Sequence, residues 1–272
     1  MIATDKMTQL ALLDRCETLS HTGIAGKERF LQLATCLSKK NIQPNKVLDV
    51  GGTYGTALWL KEMFPKAEVT VLNKTKNDLK SWSSVIEASA DCFDCSKKYD
   101  LIFAGEIIEH VYNPDGLIAS CLESLEPNGV FVVTTPNMAN LFNRLFLLFG
   151  WSPGFYSPSL RYNTGNPFLP KGDGTFGWIG DHKSVFTWKG LIELLKIYHF
   201  RIERCFGFSY GEPQAHKGIS NREYRPAAGG IRKVLNFFIP SFLKEGTLVV
   251  CRAPLSYPVE LLEGKKLGNI WD

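Results

Sequence analysis

The stretch Lys46-Val47-Leu48-Asp49-Val50-Gly51-Gly52-Thr53-Tyr54-Gly55-Thr56-Ala57-Leu58 decides the architecture of this 272-residue chain. Its short apolar run (Val47, Leu48, Val50) predicts a buried strand. The residues beyond the glycines (Ala57, Leu58, Leu60, Met63, Phe64) carry the spacing of an amphipathic helix. A strand, a glycine turn and a helix, in that order, set a helix N-terminus over the end of a strand. Glycine there lets backbone approach a ligand with no side chain in between.

Two phosphate-binding readings of the turn are excluded. A dinucleotide fingerprint needs glycine at the third and sixth positions from Gly51, where Thr53 and Thr56 stand, and no Lys-Ser/Thr pair follows as in a phosphate-cradling loop. What remains is Asp49, two places before Gly51, with Gly52 and Gly55 beyond. This resembles the first motif of the class I S-adenosylmethionine-dependent methyltransferases, D-x-G-x-G-x-G. Thr53 stands where the middle glycine is common, and Gly52 supplies the missing backbone freedom. The resemblance implies that Asp49, Gly51, Gly52, Thr53 and Gly55 line a site for S-adenosylmethionine.

Upstream, apolar patterns around Leu10, Leu12, Leu13 and Leu19, then from Phe30 through Leu31, Leu33, Ala34 and Leu37, predict two helices covering one side of the cleft. Pro44-Asn45 ends the second. Downstream, strands are predicted at Glu68–Asn73, Val85–Ala88, Leu101–Ala104 and Val130–Thr135. Asn113-Pro114-Asp115 opens a helix that Pro127-Asn128-Gly129 stops. Strand, helix and strand again imply right-handed crossovers and a parallel sheet.

The second decisive segment is Tyr99-Asp100-Leu101-Ile102-Phe103-Ala104-Gly105-Glu106-Ile107-Ile108-Glu109-His110-Val111. A buried strand leaves a Glu-x-x-Glu-His cluster at its C-terminal end, where open α/β sheets bind ligands. In residue type and spacing these thirteen positions are similar to a segment of the small-molecule methyltransferase branch that includes the ubiquinone-biosynthesis O-methyltransferases. Thr134-Thr135-Pro136-Asn137 and the run from His182 through Phe186-Thr187 resemble the same branch. The resemblance covers about residues 46–252. It implies Gly105 and Glu106 in the cofactor cleft, Asn73 on the ribose hydroxyls in place of the usual acid, and Asp91 on the adenine amine with Cys92 beside it. A slipped alignment would put Asp94 there instead. An amide can still accept one hydroxyl hydrogen bond and donate another.

The chemistry implied is displacement at a sulfonium methyl by an oxygen, nitrogen or carbon of the acceptor. The sulfonium already leaves readily, so the enzyme's part is to align the reactants and exclude water. A hydroxyl acceptor calls for a base, for which His110 and His182 are the candidates and Glu106 the next; a free amine needs none beyond water.

Residues 138–183 break the alternation of strand and helix. An apolar segment (Leu141-Phe142, Leu145 to Phe149) interrupted by Asn143-Arg144 precedes a run crowded with glycine, proline and aromatics: Trp151, Phe155, Tyr156, Tyr162, Phe168, Phe176 and Trp178. A loop this long in a compact domain is more often functional than idle, and predicts a lid and substrate-binding insertion. Such a patch also suits a membrane surface. Thr187 caps a further helix, a strand opens after His199-Phe200, a helix is expected over 231–238, and Thr247–Cys251 closes the sheet. The expectation is one α/β domain over 1–272: a Rossmann-like, seven-stranded, mostly parallel sheet with helices on both faces and the antiparallel terminal hairpin that the resemblance implies. It divides into an N-terminal helical cover (1–45), a cofactor-binding half (46–137), the insertion (138–183), the C-terminal part of the sheet (184–252) and a tail (253–272).

Hydrophobic content of 44% with 21% charged residues suits a globular protein, and no run reaches the roughly 18 apolar residues of a membrane span. The N-terminus lacks a signal-peptide core, so a cytoplasmic location is expected. Seven scattered cysteines make no disulfide framework, and Cys92-x-x-Cys95 has no second pair or histidine nearby, so no metal site is read. The net charge of +4 is uneven: residues 1–150 carry −2 and residues 151–272 carry +6. That surplus points to a small-molecule acceptor that is anionic or borne on an anionic carrier. An RNA-modifying enzyme is the rival the charge suggests, and it lacks a separate RNA-binding module here; a cofactor-binding protein without catalysis is the other. The sequence sets no oligomeric state.

Overall fold

The computed structural model describes residues 6–20, 27–76, 79, 82–157, 159, 161–169, 171, 182–210 and 238–269. Among them are β1 (Lys46–Val50), β2 (Glu68–Asn73), β3 (Val85–Glu87), β4 (Tyr99–Gly105), β5 (Leu125–Pro136), β6 (Arg201–Phe208) and β7 (Gly246–Arg252). They form one sheet in the order β3-β2-β1-β4-β5-β7-β6. Strands β1 to β5 pair in parallel, and β7 runs antiparallel between β5 and β6. This is the seven-stranded, mostly parallel sheet that the sequence predicts, antiparallel at its end.

Period-two alternation assigns each strand residue to a face. Val47, Val71, Phe103, Val132 and Leu248 turn to one side, where they meet Phe30 and Leu33 of α2 (Lys27–Lys39) and Trp59 and Leu60 of α3 (Tyr54–Met63). Leu48, Leu72, Ile102, Phe131 and Val249 turn to the other, against Leu117 and Ile118 of α4 (Pro114–Ser124) and Leu191 and Leu195 of α6 (Trp188–Ile197). Burial on both faces is why the strands read as near-continuous apolar runs. The expected N-terminal cover is α1 (Lys6–Ser20) with α2; α1 lies against α2 and α3, and α2 against β6.

Two local outcomes differ from the sequence reading and a third adds to it. Strand β5 starts at Leu125, before the Pro127-Asn128-Gly129 turn. The turn, with Asn128 at φ +61°, is absorbed as an irregularity in the ladder rather than ending a helix. Thr53, where a glycine is common, is the N-cap of α3: its hydroxyl accepts from the Thr56 amide, and the Thr56 hydroxyl accepts from the Thr53 amide. The Asn143-Arg144 pair does not interrupt the apolar segment, because α5 runs unbroken over Leu141–Leu148 with Asn143 turned inward. The helix expected over 231–238 and the aromatics Phe176 and Trp178 lie outside the described residues.

Register sets the site. Val50 pairs with both Leu72 and Ala104, and Gly105 with Thr134. The turns leaving β1, β2, β4 and β5 therefore stand side by side along one edge. No helix among the described residues is long and apolar enough to cross a membrane.

Candidate functional site

At the end of β1, Asp49 is 1% exposed and turned inward. Its carboxylate accepts from the Thr56 hydroxyl (2.6 Å), and a Cβ on Gly52 would run into it. Burial pushes its pKa up to about 7, against the Thr56 bond and the Arg29 charge. Asp49 thus braces the glycine turn from beneath. Gly51, at φ +71°, is held against Ile107, and any side chain there would strike that residue. Gly55 lies buried in the first turn of α3, and Thr53 is exposed at its cap.

Asn73, at the end of β2, donates its amide N–H to the Gly52 carbonyl (2.9 Å) and accepts from the Lys74 amide (2.7 Å). One N–H and one lone pair are left for a ligand. Asp91 accepts from the amides of Tyr112 (2.6 Å) and Asn113 (3.0 Å) and from the Ser89 hydroxyl (2.9 Å), so its carboxylate fixes the entry to α4. Cys92 is half-buried beside it, whereas Asp94 is exposed and pairs with Lys265.

After Gly105 the chain turns through Glu106 at φ +55°. The Glu106 carboxylate is ringed by donors: Arg29 Nη1 at 2.8 Å, the Thr134 hydroxyl at 2.8 Å, and the Tyr210 hydroxyl. Arg29 also stacks on the Phe30 ring at 4.8 Å, and its side chain is 7% exposed. Burial, with the adjacent Glu106 charge, pushes the Tyr210 phenol well above its usual range, so it stays protonated and donates. Neither Arg29 nor Tyr210 is among the residues named from sequence. Arg29 is detectable as a cation on the apolar stripe of α2, one turn before Leu33, and Tyr210 as the continuation of the Phe206, Phe208 alternation.

One turn further on, Glu109 is 2% exposed and accepts from the Thr135 hydroxyl (2.9 Å). Burial and the Glu106 charge raise its pKa. The Glu109 carbonyl accepts from the amides of Lys183 (2.7 Å) and Ser184 (3.1 Å), which ties the return of the insertion to this turn. His182 is thereby brought onto His110, with ring centroids 4.8 Å apart and planes at 68°. His182 Nδ1 lies 2.5 Å from the Phe155 carbonyl, which can only accept, so Nδ1 is the donor. Glu109, Thr135, Met138, Phe155 and His182 enclose a narrow cavity. One ligand atom from each of Glu109, His110 and His182 lies within 4.8 Å of the others, a set able to hold a divalent cation although the sequence reading assigns no metal. A larger cavity of about 550 Å³ opens elsewhere, between α2 and β6, and contains none of these groups.

Of the cations in the insertion, Lys171 bonds to the Asn166 carbonyl, Lys183 stands over the Tyr112 ring at 5.3 Å, and Arg161 is exposed.

A family model described as a methyltransferase domain matches residues 25–171, from α2 into the insertion. The ubiquinone biosynthesis O-methyltransferase of Rickettsia typhi is 30% identical over 91 residues, 32% of this chain, and the match spans only 36% of that relative. Two solved structures share the fold. An S-adenosylmethionine-dependent methyltransferase from Clostridium acetobutylicum superposes with a TM-score of 0.51 at 11% identity, over 92% of this chain and 100% of that one. The [4+2]-cyclase SpnF does so at 0.54 and 17% identity, over 92% and 95%.

Proposed function

The chain belongs to the methyltransferase domain family, and we propose that it transfers a methyl group from S-adenosylmethionine to a hydroxyl of a small molecule. The observation that carries the hydroxyl is the packing of His110 on His182 beside the buried Glu109, with His182 oriented by its Nδ1 contact to the Phe155 carbonyl.

In this reading Gly51 to Thr53, Asn73 and Glu106 hold the donor, with Asp49 and Asp91 bracing the turns that surround it. The row of aligned turns suits an elongated ligand. When bound, S-adenosylmethionine supplies an electrophilic methyl on a good leaving group. In this reading His182 takes the proton from the acceptor hydroxyl, and Phe155 and Met138 line the apolar side of the approach to it. The surplus of positive charge after residue 150 supports an acceptor that is anionic or borne on an anionic carrier, such as a sugar phosphate or a lipid-linked sugar.

His182→Ala should lower turnover by roughly 10²–10⁴-fold with donor affinity nearly kept. A loss below about threefold, at His182 and at His110 alike, would indicate an amine acceptor, a base elsewhere or a binding protein without catalysis. The Glu109, His110, His182 set supports a second reading, in which a divalent cation held there orients the acceptor oxygens. Activity abolished by a chelator and restored by added metal would select it. The fold by itself fixes neither, since it is shared with a cyclase.

A further inference from the structure

Helix α5 is built inside out. Its one buried residue is polar: Asn143 accepts from the Gly154 amide (2.7 Å) and donates to the Met138 (3.0 Å) and Gly154 (3.2 Å) carbonyls. The apolar residues of its second turn face outward, with Leu145 44%, Leu147 56% and Leu148 76% exposed, and Phe149 at the C-cap 65% exposed. An apolar surface that a folded protein leaves open to water marks a contact. A rigid interior anchor paired with an outward apolar face is a disposition that makes sense where the surroundings are not water.

The charge around this face selects among occupants. No aspartate or glutamate occurs from residue 127 to residue 172, and the cations in that span, Arg144, Arg161 and Lys171, are all exposed. Aromatic rings sit beside the helix: Phe168 is stacked on Phe146 (6.1 Å, 11°) and packed edge-on against Trp151 (4.9 Å), and is itself 60% exposed. Apolar side chains, interface-seeking aromatics and cations without acids are the composition that binds an anionic lipid surface, through burial of the apolar groups and attraction of the charges. The insertion leaves the C-terminal end of β5, the edge of the sheet that carries Glu109, and Phe155 within it touches His182.

We propose that the α5 face docks on an anionic lipid bilayer, so that the site opens toward molecules carried in the membrane. The docking stands on α5 and the residues of the insertion beside it; the lipid-borne acceptor rests on the function proposed above.

The test mixes the full chain with vesicles of phosphatidylcholine containing about one quarter phosphatidylglycerol, and with vesicles of phosphatidylcholine only, and measures co-sedimentation. The wild type should sediment with the anionic vesicles and be partly released as salt rises from about 0.15 M to about 1 M, where the screening length falls from about 8 to about 3 Å. The double variant Leu148→Glu/Phe149→Glu should bind at least tenfold more weakly, with thermal unfolding lowered by no more than the loss of the Phe149–Trp151 ring contact, since both residues are mostly exposed. Arg144→Glu/Arg161→Glu should lose the preference for anionic vesicles. The proposal is overturned if the wild type stays in solution, or if it sediments equally well after the Leu148 and Phe149 changes. It is also overturned if those changes abolish a concentration-dependent dimer while vesicles bind nothing, which would make the face a contact between copies. Vesicle binding needs neither donor nor acceptor, so its failure is separable from absence of methyl transfer.

Discussion

Replacing Arg29 by Ala exposes how the Glu106 corner is held together. The guanidinium lies 2.8 Å from the Glu106 carboxylate, with the two side chains only 7% and 19% exposed, so water solvates the carboxylate only in part once its partner is gone. The Thr134 and Tyr210 hydroxyls still donate to it, but neither carries charge. Removing one member of a buried pair costs about 3–5 kcal/mol, because the surviving charge is left uncompensated. The two hydroxyl donors hold the expected loss near the lower end, about 3 kcal/mol, which for a chain of this size corresponds to a fall in Tm of roughly 6–12 °C. Removing both charges as Arg29→Leu/Glu106→Leu leaves no buried ion, so the double variant should be more stable than the sum of the singles by at least about 1 kcal/mol. Urea unfolding followed by circular dichroism closes the cycle. Single variants that each lose under about 1 kcal/mol and add in the double would refute the reasoning, and would show that water reaches Glu106.

Further outcomes follow from the turns. Asp49 has a folded pKa of about 7 against 3.8 for an ordinary aspartate, so the folded protein binds the extra proton between those values; its contribution to stability is kept below about pH 4 and lost as pH rises through 7, on the order of 4 kcal/mol. Asp49→Asn should flatten that part of the pH–stability profile, and an unchanged slope between pH 4 and 7 would mean the carboxyl is ionised when folded. Thr53→Ala removes the cap of α3 and should cost about 1 kcal/mol in chemical denaturation, whereas Thr53→Gly should cost only a few tenths. Asn73→Asp sets a carboxylate against the Gly52 carbonyl in place of a 2.9 Å hydrogen bond, and calorimetry should show weaker binding of S-adenosylmethionine; tighter binding would mean the ribose contact outweighs the bond to Gly52.

The sequence by itself determined the sheet. The positions of β1, β2, β4 and β7, the helix caps at Asn113 and Thr187, and the cover formed by α1 and α2 are all encoded in periodicity and capping chemistry within a few residues of one another. It also singled out Glu106, Glu109 and His110, because they follow a buried strand at fixed spacing. Only the tertiary structure decided which way those groups point and what they meet. Arg29 and Tyr210 lie 77 and 104 residues from Glu106 along the chain and reach it because α2 and the end of β6 pack at the same edge of the sheet. The same holds for Asp49 and Asp91, whose carboxylates are engaged by Thr56 and by the amides before α4, and for His182, carried onto His110 by two hydrogen bonds to the Glu109 carbonyl. Local patterns fix backbone conformation because the interactions that set it span three or four residues. The partner of a buried charge is fixed instead by which surfaces the chain brings together, and sequence spacing does not carry that information.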